Sequence, residues 1–136
     1  MADNARVLVI DDDPDMLETT RLFLERRGYS VLTASSPEEG TRQITDGRPD
    51  VVVLDIMMPE GTEGFHWLWK LRKNADPAVR EMPVIVVSSI GKAMGLEFKA
   101  GEADETGCYL PAQAFLDKPF DPDDLVARIE AVLSGR

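Results

Sequence analysis

Val51-Val52-Val53-Leu54-Asp55 is a run of four apolar residues that ends in a carboxylate. A second apolar run, Val84 to Val87, ends in the hydroxyl of Ser88. Strands that are apolar at every position, rather than at alternate ones, are typical of parallel sheets covered by helices on both faces. These two runs therefore predict a parallel sheet whose strands end in polar residues at one edge.

Outward from these runs, strands alternate with helices along the chain. We predict strands at Arg6–Ile10, Tyr29–Ala34, Asp50–Leu54, Pro83–Val87 and Ala114–Asp117. Helices are predicted at about residues 15–27, from residue 36 onwards, at about residues 64–74, and from residue 121 onwards. This alternation predicts an α/β fold with a doubly wound parallel sheet and helices on both faces.

Three helix starts carry capping signals. Ser36-Pro37-Glu38-Glu39 is a capping box with proline at the first helical position. Asp121 precedes Pro122 in the same way, and Asp13 before Pro14 is predicted to be a helix cap rather than a ligand.

The third helix carries many aromatic residues, and its spacing predicts that Phe65, Trp67, Leu68 and Leu71 face inward while Trp69 faces solvent.

Composition limits the class of protein. The chain has 136 residues, the size of one domain, and a single cysteine, which permits no internal disulfide and predicts a cytoplasmic location. Its formal charge is −10, with 25 acidic against 15 basic residues. That charge argues against direct binding to nucleic acid or to anionic membranes, both of which require a basic surface.

The polar residues at the strand ends predict a binding pocket. In doubly wound sheets, ligands bind at the carboxyl ends of the strands. Asp11 and Asp12 follow the first strand and Asp55 the third, so three carboxylates would meet and repel one another unless a cation lay between them. Mg²⁺ is the natural choice, because it is hard and oxygen-seeking and because the chain has no Cys/His cluster typical of zinc sites.

A carboxylate beside Mg²⁺ can attack phosphorus in line and become an aspartyl phosphate. Lys118 follows the fifth strand and would neutralise charge on the phosphoryl oxygens. The hydroxyl of Ser88 would donate a hydrogen bond to one of them.

Four motifs carry a family resemblance. They are Val-Leu-Val-Ile-Asp-Asp-Asp-Pro (7–14), Val-Val-Leu-Asp-Ile-Met-Met-Pro (52–59), Pro-Val-Ile-Val-Val-Ser-Ser (83–89) and Phe-Leu-Asp-Lys-Pro-Phe (115–120). In this order and at this spacing they resemble the receiver domain of two-component response regulators, of the single-domain, chemotaxis-regulator-like kind. The resemblance implies the flavodoxin-like strand order 2-1-3-4-5. We expect one receiver domain over residues 1–136, with no effector domain.

The resemblance also assigns roles. It makes Asp55 the phosphoacceptor, and it gives the Mg²⁺ ligands as Asp11, Asp12, Asp55 and the backbone carbonyl of Met57. Ser88 and Lys118 are then the residues that contact the phosphoryl group.

Further roles concern the response to phosphorylation. Ser88 and Phe115 are implied as the switch pair, and the bond between Lys118 and Pro119 is implied to be cis. The implied function is to accept a phosphoryl group from a histidine kinase or phosphotransfer protein and to alter a surface for an unknown output protein. The domain would be a monomer or weak dimer and not an enzyme, apart from loss of its own phosphate.

The sequence departs from the family pattern in two places. The loop at residues 59–64 is one residue longer than usual, beside the expected phosphorylation site. The segment between Ser88 and Lys118 is also longer, and residues 91–100 contain two glycines and little periodicity. The helix expected there, the fourth of the family fold, is therefore predicted to be short or irregular.

Three other functions remain open at this point. One is a phosphatase of the haloacid-dehalogenase type, which needs a second acid two residues after its nucleophile; Asp13 stands two after Asp11. Another is a flavodoxin-like binding module, which three aspartates after the first strand disfavour because they would repel a flavin phosphate. The last is a receiver-like scaffold that is never phosphorylated.

Overall fold

The computed structural model describes residues 5–55, 63–88, 114–117 and 121–134. The strands in these ranges are β1 (Arg6–Ile10), β2 (Ser30–Ala34), β3 (Val51–Asp55), β4 (Val84–Ser88) and β5 (Ala114–Asp117). The helices are α1 (Pro14–Arg26), α2 (Pro37–Gly47), α3 (Glu63–Arg72), α4 (Pro77–Arg80) and α5 (Pro122–Ser134). The predicted strands agree with those observed to within one residue at each end.

The five strands form one parallel sheet in the order β2-β1-β3-β4-β5. The predicted fold and strand order are therefore confirmed. In the register of the sheet, Ile10 of β1 pairs with Leu54 of β3. The next residue of each segment is an aspartate, so this register brings Asp11 and Asp55 to the same edge.

The predicted helix caps are also confirmed. The Asp13 carboxylate accepts a hydrogen bond from the amide of Asp15 at 2.9 Å at the start of α1. Ser36 Oγ accepts one from the amide of Glu39 at 3.2 Å at the start of α2. Asp121 Oδ1 accepts the amide of Asp123 at 2.9 Å. Each cap satisfies a backbone N–H that the first turn of a helix leaves without a partner.

The short helix α4 was not predicted, because four residues are too few to show a hydrophobic period. Asp76 caps it by accepting a hydrogen bond from the amide of Ala78 at 3.0 Å. Arg72, at the end of α3, donates through Nη1 to the carbonyls of Arg80 at 3.0 Å and Met82 at 2.6 Å. The connection from α3 to β4 is thus ordered by hydrogen bonds. The irregular helix predicted between β4 and β5 lies outside the described residues.

Two apolar layers cover the sheet, one on each face. Val52 and Leu54 of β3 belong to the layer under α2 and α3, while Val51 and Val53 belong to the layer under α1 and α5. Burial on both faces explains why this strand is apolar at every position. The predicted inward residues Trp67, Leu68 and Leu71 of α3 are buried in the first layer, whereas the side chains of Phe65 and Trp69 lie outside the described part.

Among the described residues, no helix is both long and apolar enough to cross a membrane.

Tyr29 carries a buried hydroxyl in the second layer. The residue is 4% exposed, and its hydroxyl has no hydrogen-bond partner within the described part of the chain. Burial, with a smaller contribution from the charge of Glu130, raises the pKa of Tyr29 above its usual value of about 10. A buried polar group without a partner costs about 1–3 kcal/mol of stability.

We therefore expect Tyr29→Phe to increase the free energy of unfolding by about 1 kcal/mol at pH 7. Because the pKa of Tyr29 is higher in the folded state than in the unfolded state, raising the pH above about 10 ionises the unfolded chain first and favours unfolding. This loss of stability continues until the pH passes the folded-state pKa. Wild type should accordingly lose stability more steeply than the variant above pH 10. Urea unfolding at pH 7 and at alkaline pH measures both effects. A Phe variant that was less stable than wild type at pH 7 would show that the Tyr29 hydroxyl does have a stabilising partner.

Candidate functional site

The site lies where β1 and β3 end. Oxygen atoms from the carboxylates of Asp11, Asp12 and Asp55 all lie within 4.8 Å of one another. Asp11 is 4% exposed and Asp55 5% exposed, whereas Asp12 is exposed to solvent. The structure therefore brings together the three carboxylates that the sequence predicted, with two of them buried.

Backbone hydrogen bonds fix the segment that carries Asp11. Its amide donates to the carbonyl of Ala34, at the end of β2, at 3.1 Å. Its carboxylate accepts a hydrogen bond from the amide of Asp13 at 3.0 Å. These two bonds join the turn after β1 to the end of β2 and to the Asp11 carboxylate. Together they set the direction of that carboxylate.

Two buried carboxylates so close together repel each other. For unit charges 4.8 Å apart, the repulsion is roughly 3.5 kcal/mol at an effective dielectric constant of 20. A divalent cation between them converts that repulsion into attraction. Three carboxylates, one of them open to solvent, fit a hard cation that keeps part of its water shell, as Mg²⁺ does.

Asp13 is not part of this cluster within the described residues. Its carboxylate caps α1 through the amide of Asp15 at 2.9 Å. The phosphatase alternative needs this carboxylate as a general acid two residues after the nucleophile. A carboxylate that faces the helix backbone is poorly placed for that role, so the geometry disfavours the phosphatase.

The structure places the other predicted site residues only in part. Ser88 ends β4 and pairs with Asp117 of β5, and Phe115 pairs with Val86. The backbones of Ser88 and Phe115 are therefore placed in the sheet, while their side chains lie outside the described part. Met57, Lys118 and Pro119 lie outside the described residues altogether, so their roles stay predictions.

One contact behind the site, between α2 and α3, could not be predicted from the sequence. Trp67 Nε1 of α3 donates a hydrogen bond to Thr41 Oγ1 of α2 at 2.9 Å. The two residues are 26 positions apart, and neither belongs to a motif. The aromatic spacing of α3 predicted that Trp67 faces inward, but no sequence signal identified its partner.

Comparison with known proteins identifies the family. The profile of the response regulator receiver domain matches residues 7–130, nearly the whole chain. The chain belongs to the receiver-domain family of response regulators.

Curated relatives of this receiver domain differ in length. Protein PilH of Pseudomonas aeruginosa is 35% identical over 132 residues, which cover 96% of this chain and 99% of PilH. The probable transcriptional regulator ycf27 of Guillardia theta is 36% identical over 94% of this chain. The chain spans about half the length of several relatives that it matches, including 45% of ycf27.

Solved structures agree with the fold. A response regulator receiver domain from Clostridium thermocellum is 30% identical, with a TM-score of 0.72, over 96% of this chain and 94% of that one. The chemotaxis response regulator CheY4 of Vibrio cholerae is 25% identical, with a TM-score of 0.73, over 95% and 98% of the two chains. The described part of this receiver domain therefore has the fold of its family.

Proposed function

We propose that this receiver domain accepts a phosphoryl group on Asp55 in a two-component phosphorelay, with a histidine kinase or phosphotransfer protein as donor. The observation that carries the proposal is the meeting of three carboxylates within 4.8 Å, with Asp55 at the end of a fully buried strand. A buried carboxylate in such a cluster is more typical of a functional site than of a purely structural role. The same carboxylate becomes a nucleophile once its charge is balanced.

In the proposed reaction, a carboxylate oxygen of Asp55 attacks phosphorus in line. The new O–P bond forms as the bond from phosphorus to the donor breaks, and the donor leaves with the electron pair of that bond. Asp11, Asp12 and the carbonyl of Met57 would hold Mg²⁺, which supplies charge neutralisation to the phosphoryl oxygens when bound. Lys118 would pair with one phosphoryl oxygen.

Transfer of the phosphoryl group would then change a partner-binding surface. In this proposal Ser88 moves to donate its hydroxyl to a phosphoryl oxygen, and Phe115 fills the space that Ser88 leaves. The two residues sit on adjacent strands, β4 and β5. A packed element that has two arrangements can turn this small movement into a larger one.

The partners in this proposal are proteins. A formal charge of −10 disfavours direct contact with nucleic acid, so the output partner is proposed to be a protein. The chain is proposed to act as one receiver domain over residues 1–136, as a monomer or weak dimer, in the cytoplasm. Its chemistry would be limited to taking up and losing its own phosphoryl group.

Incubation of the intact protein with acetyl phosphate, with and without Mg²⁺, tests this function. We expect the mass of one phosphoryl group to be added only with Mg²⁺, and hydroxylamine to remove it, as it does from acyl phosphates. A folded protein that takes up no phosphoryl group, with or without Mg²⁺, would favour the scaffold alternative. Multiple turnover of a phosphate ester such as p-nitrophenyl phosphate would instead favour the phosphatase.

A further inference from the structure

Trp67 connects three elements behind the acidic site. The residue is 7% exposed and lies in the apolar layer that also contains Ile10 and Leu54. These two residues are paired in the sheet, and each immediately precedes a site carboxylate. Trp67 therefore packs in the layer that supports both Asp11 and Asp55.

The hydrogen bond from Trp67 ends on a hydroxyl that is itself held in place. Thr41 Oγ1 accepts from the indole at 2.9 Å and donates to the carbonyl of Pro37 at 3.2 Å. Pro37 is the first residue of α2, next to the Ser36 cap. The indole is thus joined through one hydroxyl to the start of a capped helix.

The backbone of α2 comes close to both β1 and α3 at Gly40. A Cβ atom added there would lie 2.6 Å from Ile10 Cδ1 and 3.6 Å from Trp67 Cζ2. The first contact is shorter than real Cβ contacts, so a larger residue at this position would require the Ile10 side chain to shift. At this point α2 touches the residue before Asp11 on one side and the ring of Trp67 on the other.

An open cleft on the far side of Trp67 makes the hydrogen bond important. The cleft has a volume of about 340 Å³ and lies between α2, α3 and α4, with Thr41, Ile44, Trp67 and Leu71 among its walls. Part of Trp67 forms a wall of this cleft, so the residue borders open space there as well as packed residues. The bond to Thr41 therefore restrains the ring, and with it α3, against movement into the cleft.

We propose that Trp67 is a positioning residue for the metal-binding carboxylates, and that it acts through its hydrogen bond to Thr41. The start of α3 at Glu63 is only eight positions after Asp55 in the sequence, so the placement of α3 bears on the end of β3. Holding α3 against α2, and α2 against Ile10, sets the distance between the two acid-bearing segments. This inference rests on the metal site of the proposed function.

Titration of the full chain with Mg²⁺ by calorimetry tests the inference without any phosphodonor. Thr41→Val removes the acceptor at nearly constant volume, and Trp67→Phe removes the donor. We expect each to weaken Mg²⁺ binding by about threefold to tenfold, the value of a typical hydrogen bond. The double variant should bind Mg²⁺ no more weakly than either single variant, because each of the three variants lacks the same hydrogen bond.

Two control variants separate positioning from general destabilisation. Thr41→Ser keeps the hydroxyl and should bind Mg²⁺ as wild type does. Thr45→Val changes a threonine one turn further along α2, which borders the same cleft but bonds to the carbonyl of Thr41 at 3.3 Å. We expect it to leave Mg²⁺ affinity unchanged even where it lowers the melting temperature.

Unchanged Mg²⁺ affinity in a folded Thr41→Val protein, together with a lower melting temperature, would overturn the inference and make the bond merely structural. The Val variant answers the question even where Trp67→Phe fails to fold. A wild type that bound no Mg²⁺ would overturn the metal site of the proposed function and this inference with it. A wild type that bound Mg²⁺ but took no phosphoryl group would overturn only the phosphoacceptor role.

Discussion

Asp55→Asn is expected to reduce Mg²⁺-dependent phosphorylation by acetyl phosphate by at least about a thousandfold, to the limit of detection. An amide oxygen is a far weaker nucleophile than a carboxylate, and the variant cannot form an acyl phosphate at this position. The shape of the side chain is retained, so the buried end of β3 should stay intact. Intact-mass spectrometry after a fixed incubation measures the phosphoryl group directly.

Asp50→Asn is the matched control for this experiment. Asp50 lies just before the other end of β3, where its carboxylate accepts a hydrogen bond from the amide of Arg6 at 2.8 Å. The change from acid to amide is the same, but it occurs away from the acidic site. Asp50→Asn should take up as much phosphate as wild type, and equal uptake by Asp55→Asn would show that another residue is the acceptor.

Asp11→Asn is expected to have opposite effects on stability and on metal binding. Without Mg²⁺, it removes one of two buried charges within 4.8 Å of each other, so the free energy of unfolding should rise by about 1–3 kcal/mol. Asparagine can still accept the hydrogen bond from the amide of Asp13. With Mg²⁺, affinity should fall more than about tenfold, because even outer partners of metal ligands are worth 10- to 100-fold.

Chemical unfolding at increasing Mg²⁺ concentrations measures both effects on one sample. Wild type should gain stability with Mg²⁺ and Asp11→Asn should not, so their order of stability reverses as the concentration rises. Asp12→Asn serves for comparison, because Asp12 is exposed and its charge is better solvated. We expect it to weaken Mg²⁺ binding with a smaller gain in stability. A loss of stability in Asp11→Asn without Mg²⁺ would contradict the repulsion argument.

Most of the fold could be predicted because each signal was local. A strand such as Val51 to Asp55 is apolar throughout only when both faces are covered, and its neighbours follow from the alternation of strands and helices. The caps at Asp13 and Ser36 depend on hydrogen bonds within a few residues. Patterns of this kind are complete within a short window of sequence.

The acidic cluster could be predicted for a related reason. Asp11 and Asp55 both follow parallel strands, and such strands end at a common edge. Adjacent strands are enough to place the two carboxylates at the same edge, whereas their exact separation also depends on the packing of the helices. The sequence thus determined which residues meet, although the distances and the difference in burial between Asp11 and Asp12 required the structure.

Contacts that depend on packing could not be predicted. The bond between Thr41 and Trp67 needs the helices at one separation and rotation, which Gly40 permits by its close approach to Ile10. Helix α4 is fixed by hydrogen bonds from Arg72 to two carbonyls that have no sequence signature. In both cases the information lies in the fit between distant parts of the chain.

Four described helices, α1, α2, α4 and α5, begin with a proline that follows an aspartate or serine: Pro14, Pro37, Pro77 and Pro122. Proline restricts the backbone in the unfolded chain as well as in the folded one, so the chain loses less conformational entropy on folding. Each proline thereby stabilises the folded state by about 0.4–1 kcal/mol. Together they account for roughly 2–4 kcal/mol. The turns at Pro14 and Pro37, which follow β1 and β2 beside the acidic site, are therefore restricted before the chain folds. Under the proposed function, a metal ion would meet a turn after β1 that it need not organise, and its binding energy could be used for charge rather than for order.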